Sequence, residues 1–177
     1  VFKAPPSNNV DYIKRVIGLP GDRIQMRGGQ LFLNGQAIMR TRKADLVVAV
    51  SPNTRCFAPV FERADPSGRL SCHYPRYEES LPSGRRYDVL DLMDSEADTT
   101  DVYTVPQGHV FMMGDNRDNS LDSRFPAELG GGIGFVPVEN LVGKAQLSVF
   151  STDGSAHWLL PWTWFTAARW NRIGETF

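Results

Sequence analysis

Short runs of alternating apolar and polar residues, separated by glycine, proline and asparagine, constrain the fold of this chain most strongly. Apolar residues at every second position predict strands with one buried face, whereas a helix repeats every three or four positions. Residues 23–26 and 30–33 predict a hairpin around two glycines. Asn34 followed by Gly35 is typical of a type I′ turn between strands. We therefore expect a mainly β protein with antiparallel strands.

The alternating pattern weakens in residues 41–100, where Arg, Asp, Pro and Ser become frequent, and it returns in residues 102–113. This interruption predicts an insertion between two parts of one fold. We expect a discontinuous β core formed by residues 1–33 and 105–177, with a smaller β-rich subdomain inserted at residues 34–104.

Composition narrows the class of protein. The chain has 177 residues, of which 41% are hydrophobic and 22% charged, and its net charge is -1. These values argue against disorder, and the charge provides no general attraction for nucleic acid. The chain contains no run of about 18 apolar residues, so the sequence predicts no transmembrane helix within it. The chain begins with Val1 and Phe2, so we interpret it as a fragment whose first residue lies within a fold.

Cys56 and Cys72 are the two cysteines, and their spacing matches neither a C-x-x-C motif nor a zinc site. A disulfide between them would stabilise the intervening loop by about 3 kcal/mol in the chain-entropy model. Two unrelated thiols explain the same sequence, and both interpretations remain open.

Lys14 lies in the first of two segments that suggest chemistry, residues 11–22. The sequence predicts one strand over residues 12–18, in which Tyr12, Lys14 and Val16 share one face, so the lysine lies between two apolar neighbours. Burial lowers the pKa of a lysine and can make its amine a general base. The alternative is a lysine that extends from a strand edge into solvent.

The second segment, residues 114–124, is a polar loop directly after an apolar strand. A calcium loop of the EF-hand type needs Gly at its sixth position and Glu at its twelfth, where this chain has Ser120 and Pro126. The loop therefore does not match that metal motif. A hydrogen-bonded structure of Asx-turns and an Asp–Arg pair is the general alternative.

Taken together, the two segments resemble the motifs of bacterial type I signal peptidases. They read DYIKRVIGLPGD at residues 11–22 and GDNRDNSLDSR at residues 114–124. The stretches GFVP at residues 134–137 and NLVGKA at residues 140–145 are also similar, so the resemblance runs from the first residue to about Ala145. It implies a signal-peptidase-type antiparallel β core around the inserted, non-catalytic subdomain.

Members of that family are membrane-anchored serine endopeptidases with a Ser/Lys dyad, and they need no metal or cofactor. The resemblance implies that Lys14 is the general base and that Ser120 orients its amine. It also implies two further sets of residues. The supporting residues are Asp115, Arg117, Asp122 and Arg124, and the substrate-binding residues are Asp11, Tyr12 and Ile13.

The departure from the family concerns the nucleophile, which lies in a Ser-Met-x-Pro type segment upstream of the first apolar strand. Ser7 is the only serine before Lys14, and its neighbours do not match that segment. We expect the intact protein to be a peptidase and these 177 residues alone to be inactive. The alternative is a non-catalytic β-rich module that retains the groove for signal peptides.

The resemblance implies signal peptides of exported preproteins as partners, and no nucleic acid. It places the catalytic part on the periplasmic face of the bacterial inner membrane, held by an N-terminal anchor. Trp158, Trp162 and Trp164 suit contact with lipid headgroups, and the alternative is that they pack within a terminal segment.

The sequence supports two other catalytic interpretations less well than that of a signal peptidase. His73, His109 and His157 show no partner pattern for histidine-based catalysis, so we expect each to be structural or exposed. A self-cleaving repressor shares the Ser/Lys chemistry, but it would need a DNA-binding arm and would not carry this loop.

Overall fold

The computed structural model describes residues 1–51, 54–146, 152, 156, 159–168, 170 and 174. In these residues the regular structure consists mostly of short β-strands, with three 3₁₀ helices and one α-helix. Every pairing between named strands in the described part is antiparallel. The predicted mainly antiparallel β class is confirmed.

The strands are short, as expected for a chain interrupted so often by turn residues. In chain order they are β1 (Phe2–Lys3), β2 (Asp11–Tyr12), β3 (Arg15–Gly18), β4 (Arg23–Arg27), β5 (Gln30–Leu33), β6 (Gln36–Ala37), β7 (Met39–Arg42), β8 (Leu46–Ala49), β9 (Glu62–Ala64), β10 (Leu70–Tyr74), β11 (Arg76–Ser80), β12 (Arg86–Leu90), β13 (Tyr103–Thr104), β14 (His109–Met113) and β15 (Val136–Pro137). The 3₁₀ helices are Pro59–Phe61, Glu96–Asp98 and Val138–Asn140, and the α-helix α1 is Trp162–Ala167.

The strands form five small sheets in the described residues. Their orders are β1-β2, β8-β10-β9, β12-β11-β7, β13-β4-β5-β6 and β15-β14-β3. The predicted hairpin is present, with Met26 opposite Leu31 in β4 and β5. Asn34 and Gly35 both have positive φ, 53° and 82°, which is the backbone that a type I′ turn requires.

Strand β14 contributes to two hydrophobic clusters because its side chains alternate between opposite faces. Phe111 and Met113 pack in a cluster with Ile24 and Leu31, whereas Val110 and Met112 pack in a second cluster. The second cluster also contains Phe2, Ala4, Ile133 and Val136. Burial on both faces makes β14 a firm support for the polar loop that follows it.

The prediction of one strand over residues 12–18 is wrong at its centre. Tyr12 pairs with Phe2 in β1, whereas Arg15 pairs with Met113 in β14. The change of partner falls at Ile13 and Lys14, which belong to neither strand. The period-2 pattern could not reveal this change, because it records which face is buried and not which strand lies alongside.

The chain divides into two compact units. The first comprises Val1–Ala44 and Pro75–Lys144, and the second comprises Asp45–Tyr74 and Ala145–Phe177. These bounds differ from the predicted subdomain at residues 34–104, because β7 pairs with β11 and β13 pairs with β4 inside the first unit. The role of residues 34–104 as a non-catalytic insertion stays a prediction.

Candidate active site

Lys14 lies where the chain passes from one sheet to another, between β2 and β3. Its amine Nζ lies 2.6 Å from the hydroxyl Oγ of Ser120, in the loop after β14. Both residues line a cleft of about 600 Å³ in the first unit, together with Tyr12 and Phe125. The two segments that suggest chemistry, residues 11–22 and 114–124, therefore meet through this contact.

Burial lowers the pKa of Lys14 below its ordinary value. The guanidinium of Arg124 acts in the same direction, whereas the carboxylates of Asp122 and Asp115 act against it. The loss of contact with water outweighs the attraction of these carboxylates. A lysine with a lowered pKa holds more neutral amine near pH 7, and only the neutral amine can accept a proton.

Gly114 makes room for the hydroxyl of Ser120. A Cβ atom at Gly114 would lie 2.2 Å from Ser120 Oγ and 3.4 Å from Lys14 Nζ. Such a separation is far below any van der Waals contact, so a side chain at this position would displace Ser120. Gly114 was not singled out from the sequence, although a glycine at the junction of strand and polar loop is a sign of close approach.

Asp122 and Arg124 form a buried ion pair beside the lysine. The Nε and Nη2 atoms of Arg124 donate to the two carboxylate oxygens of Asp122, at 2.9 and 3.0 Å. Asp122 also accepts the backbone N–H of Gly114, and Arg124 donates to the carbonyl of Arg117 at 2.6 Å. These bonds hold both ends of the loop in a single arrangement around Ser120.

Asp115 is bound by Arg15, the residue after Lys14. The Nε and Nη2 atoms of Arg15 donate to the two carboxylate oxygens of Asp115, both at 2.8 Å. The Arg15 guanidinium also lies over the ring of Tyr87, 4.3 Å from its centre. A two-point contact of this kind fixes the position of the chain directly after Lys14.

Arg117 is held by Glu79, a residue that the sequence did not indicate. Both side chains are almost completely buried, and two N–H···O bonds of 2.9 and 2.6 Å join them. The hydroxyl of Tyr87 donates to the same carboxylate at 2.9 Å, and burial together with that carboxylate raises the pKa of Tyr87. Nothing near Glu79 in the sequence distinguishes it from the adjacent Glu78, because its partner lies 38 positions away.

The predicted substrate residues lie at one edge of this region. Tyr12 lines the cleft, and the side chain of Ile13 is 70% exposed. Asp11 forms a surface ion pair with Lys3 at 2.8 Å, across the β1–β2 pair. In the part of the chain that is described, β2 pairs with β1 on one side, and its other edge carries no named strand.

Several predicted residues lie in the second unit. Cys56 and Cys72 are joined by a disulfide there. Trp162 and Trp164 belong to α1, whereas Trp158 lies outside the described residues.

Among the described residues, no hydrogen bond joins a histidine to the candidate site. His73 contacts the hydroxyl of Ser71, two residues away on β10. His109 Nδ1 lies 3.0 Å from the carbonyl of Gln107 in its own turn. His157 lies outside the described residues.

One group of carboxylates could hold a metal ion. Oxygens of Asp91, Asp98 and Asp118 lie within 4.8 Å of one another in the first unit. Asp118 belongs to the polar loop, for which the sequence predicted no metal, whereas Asp91 and Asp98 come from the segment that follows β12.

The chain matches the family model described as "Signal peptidase, peptidase S26" over residues 1–150. The signal peptidase I of Rickettsia prowazekii (strain Madrid E) is 36% identical to it over 159 residues, which are 86% of this chain and 50% of that protein. This chain belongs to the signal peptidase family. The signal peptidase I of Rickettsia canadensis (strain McKiel) is 37% identical with the same coverage. The chain thus spans about half the length of the curated relatives it matches.

A crystal structure of a signal peptidase I from Enterococcus faecalis V583 also matches. It is 23% identical, and the match covers 80% of this chain and 87% of that chain with a TM-score of 0.38. A score this low supports no inference about the arrangement of the site. Among the described residues, no helix is both long and apolar enough to cross a membrane.

Proposed function

We propose that the protein containing this chain is a serine endopeptidase that cleaves signal peptides from exported preproteins, with Lys14 as its general base. The observation that carries this proposal is the 2.6 Å contact between Lys14 Nζ and Ser120 Oγ, at a lysine whose pKa burial lowers. Membership of the signal peptidase family provides the reaction class. A buried lysine amine is one of the few groups that can replace histidine as a base toward serine.

The nucleophile in this proposal is a serine that these 177 residues do not supply. Its hydroxyl oxygen attacks the carbonyl carbon of the scissile peptide bond while the neutral amine of Lys14 takes the hydroxyl proton. The protonated lysine then returns the proton to the leaving amine, and an acyl-enzyme forms. In the second step Lys14 takes a proton from water, whose oxygen attacks the ester carbon. The bond between that carbon and the serine oxygen breaks, the lysine returns the proton to the serine oxygen, and the peptide leaves with a new carboxyl terminus. A polypeptide of these 177 residues alone is expected to be inactive.

Ser120 acts as a positioning residue in this mechanism. Its oxygen accepts an N–H of the lysine amine, so the lone pair of the neutral amine points away from Ser120. The Asp122–Arg124 pair and the backbone of Gly114 keep the Ser120 hydroxyl at this distance. Asp115 and Arg117 buttress the same loop through Arg15 and Glu79.

The signal peptide is proposed to bind as an added strand along the open edge of β2. Main-chain hydrogen bonds from residues 11–14 would bind it in any sequence, and shallow apolar pockets would select small side chains near the cleavage site. The exposure of Ile13 and the position of Tyr12 in the cleft support this assignment.

A membrane surface is proposed as the second partner, on the periplasmic face of the bacterial inner membrane. An N-terminal anchor would hold the protein there. The side chain of Trp162 is 65% exposed, and Leu159 and Phe165 nearby are also exposed, which suits contact with lipid headgroups. Loss of liposome binding in a Trp162→Ser, Trp164→Ser variant with an intact fold would support this part, and unchanged binding would contradict it.

The central experiment measures cleavage of a preprotein by the full-length protein and its Lys14→Met variant. Removal of a general base is expected to lower kcat by about 10²- to 10⁴-fold. Because the neutral amine is the active form, kcat should rise with pH through the pKa of Lys14, which lies below the usual ~10.4. Lys43→Met is the matched control, because this lysine pairs with Glu78 on the surface, and the substitution should leave kcat unchanged.

Two further results would separate the base from its neighbours. Ser120→Ala should keep measurable cleavage, because the proposal makes this hydroxyl an orienting group and not the nucleophile. If the full-length protein binds signal peptides without cleaving them, and Lys14→Met leaves that binding unchanged, the base is wrongly assigned. The non-catalytic peptide-binding module would then be the better description.

A further inference from the structure

Three aspartates meet on the first unit, two from the segment after β12 and one from the loop after β14. Asp91 directly follows β12, Asp98 ends the 3₁₀ helix Glu96–Asp98, and Asp118 belongs to the loop after β14. One carboxylate oxygen from each lies within 4.8 Å of the other two. Carboxylates repel one another at this distance unless something between them carries positive charge.

Part of each carboxylate is already satisfied by the protein. Asp91 Oδ2 accepts a bond from Arg40 Nη2. Asp98 Oδ2 accepts the N–H of Ser95 at 2.6 Å, and Asp118 Oδ2 accepts the N–H of Leu92 at 2.5 Å. These bonds fix the orientation of the three side chains before any ligand arrives.

Among the described residues, the remaining oxygens of two aspartates have no hydrogen-bond partner. Asp98 is only 6% exposed, and its Oδ1 is buried without a donor in the described part of the chain. The same holds for Asp118 Oδ1. A buried carboxylate oxygen is costly unless a hydrogen-bond donor or a cation satisfies it, so both atoms suit a cation ligand.

We propose that Asp91, Asp98 and Asp118 bind one divalent cation of the hard, oxygen-preferring kind, such as Ca²⁺. Three carboxylates and the Arg40 guanidinium give a net charge of -3 + 1 = -2, which a divalent cation neutralises. Ca²⁺ accepts about six to eight oxygen ligands in a flexible geometry, so three carboxylates would leave positions for water. Ca²⁺ is therefore the cation used as the probe.

The turn at Gly29 closes one side of the site. A Cβ at this glycine would lie 3.1 Å from Asp91 Oδ2 and 3.4 Å from Arg40 Nη1. Its carbonyl accepts Arg40 Nη1 at 2.8 Å, and its N–H donates to the carbonyl of Asp98. The cation would therefore join the turn, the 3₁₀ helix and the loop that carries Ser120, and it would stabilise that loop without taking part in peptide cleavage.

The test is calcium binding and thermal unfolding of the protein after dialysis against a chelator. Equilibrium dialysis should show one Ca²⁺ per chain. The melting temperature should rise by about 5–10 °C at a hundred times the dissociation constant. Asp98→Asn and Asp118→Asn should each lower the affinity at least about tenfold, because affinity follows the number of charged ligands. These readouts do not depend on peptidase activity.

Asp94→Asn is the matched control, since it removes one exposed carboxylate from the segment between Asp91 and Asp98. It should bind calcium as the unmodified protein does. No binding at about 10 mM Ca²⁺, well above the ~10⁻⁴–10⁻³ M of weak extracellular sites, would overturn the proposal. The proposal would also be overturned if the Asp98→Asn and Asp118→Asn variants bound Ca²⁺ as tightly as the unmodified protein does. If one of these variants does not fold, the other and the stoichiometry of the unmodified protein still decide.

Discussion

The two segments that form the candidate site differ in how far water reaches them. In the segment from Asp11 to Gly18, Ile13 and Val16 expose much of their surface. In the loop from Gly114 to Arg124, three charged residues are nearly inaccessible: Arg117, Asp122 and Arg124. The first segment therefore suits contact with a peptide, and the second suits the fixed positioning of one hydroxyl.

This difference has an energetic consequence. Removal of one partner of a buried ion pair lowers the free energy of unfolding by several kcal/mol, because the other charge remains without water or a counterion. An exposed pair is worth about 0–1 kcal/mol, because water replaces the lost partner. Substitutions in the loop and its supports should therefore affect folding, whereas the substitution of Lys14 should affect mainly catalysis.

The largest expected effect on stability is that of Glu79→Ala. It leaves the Arg117 guanidinium buried and unpaired, so the free energy of unfolding should fall by about 3–5 kcal/mol. Urea denaturation measures this loss. Glu78→Ala, at the adjacent residue of β11, removes only surface pairs with Lys43 and Arg86 and should cost at most about 1 kcal/mol. Equal losses for the two variants would contradict the contrast between buried and exposed charges.

A smaller loss is expected for Gly114→Ala, which adds one methyl group where the nearest atom would be 2.2 Å away. Overpacking of this kind typically costs about 1–3 kcal/mol. Cleavage by the full-length protein should fall as well, because Ser120 must move away from Lys14. Gly143→Ala is the control, since no atom of the residues that the structure describes lies within 4 Å of a Cβ there. Unchanged cleavage by the Gly114 variant would show that the 2.6 Å contact is not needed.

The smallest expected effect is that of Asp115→Asn, which weakens the partly exposed pair with Arg15. We expect a loss of about 1 kcal/mol or less, and a smaller loss at high salt, where screening already weakens the pair. Urea denaturation at low and high ionic strength measures both. A loss as large as that of Glu79→Ala would mean that the exposed side of the loop is as critical as the buried side.

Much of the fold was predictable because the relevant interactions are local. The hairpin of β4 and β5 follows from alternation and turn glycines, and the turn at Asn34 and Gly35 follows from the preference of these residues for positive φ. The candidate residues Lys14 and Ser120 were also identified from their segments, since each segment carries a long family motif. These features need only neighbours along the chain.

The tertiary structure decided which of these residues meet and what surrounds them. The change of strand partner at Lys14, the capture of Arg117 by Glu79 and the meeting of Asp91, Asp98 and Asp118 all join residues far apart in sequence. No local pattern encodes such contacts, because a strand pattern records burial but not the identity of the partner. The sequence by itself therefore determined the β4–β5 hairpin, the turn that follows it and the chemical groups of the candidate site. Long-range packing decided how far each charge is removed from water, and with it the lowered pKa of Lys14.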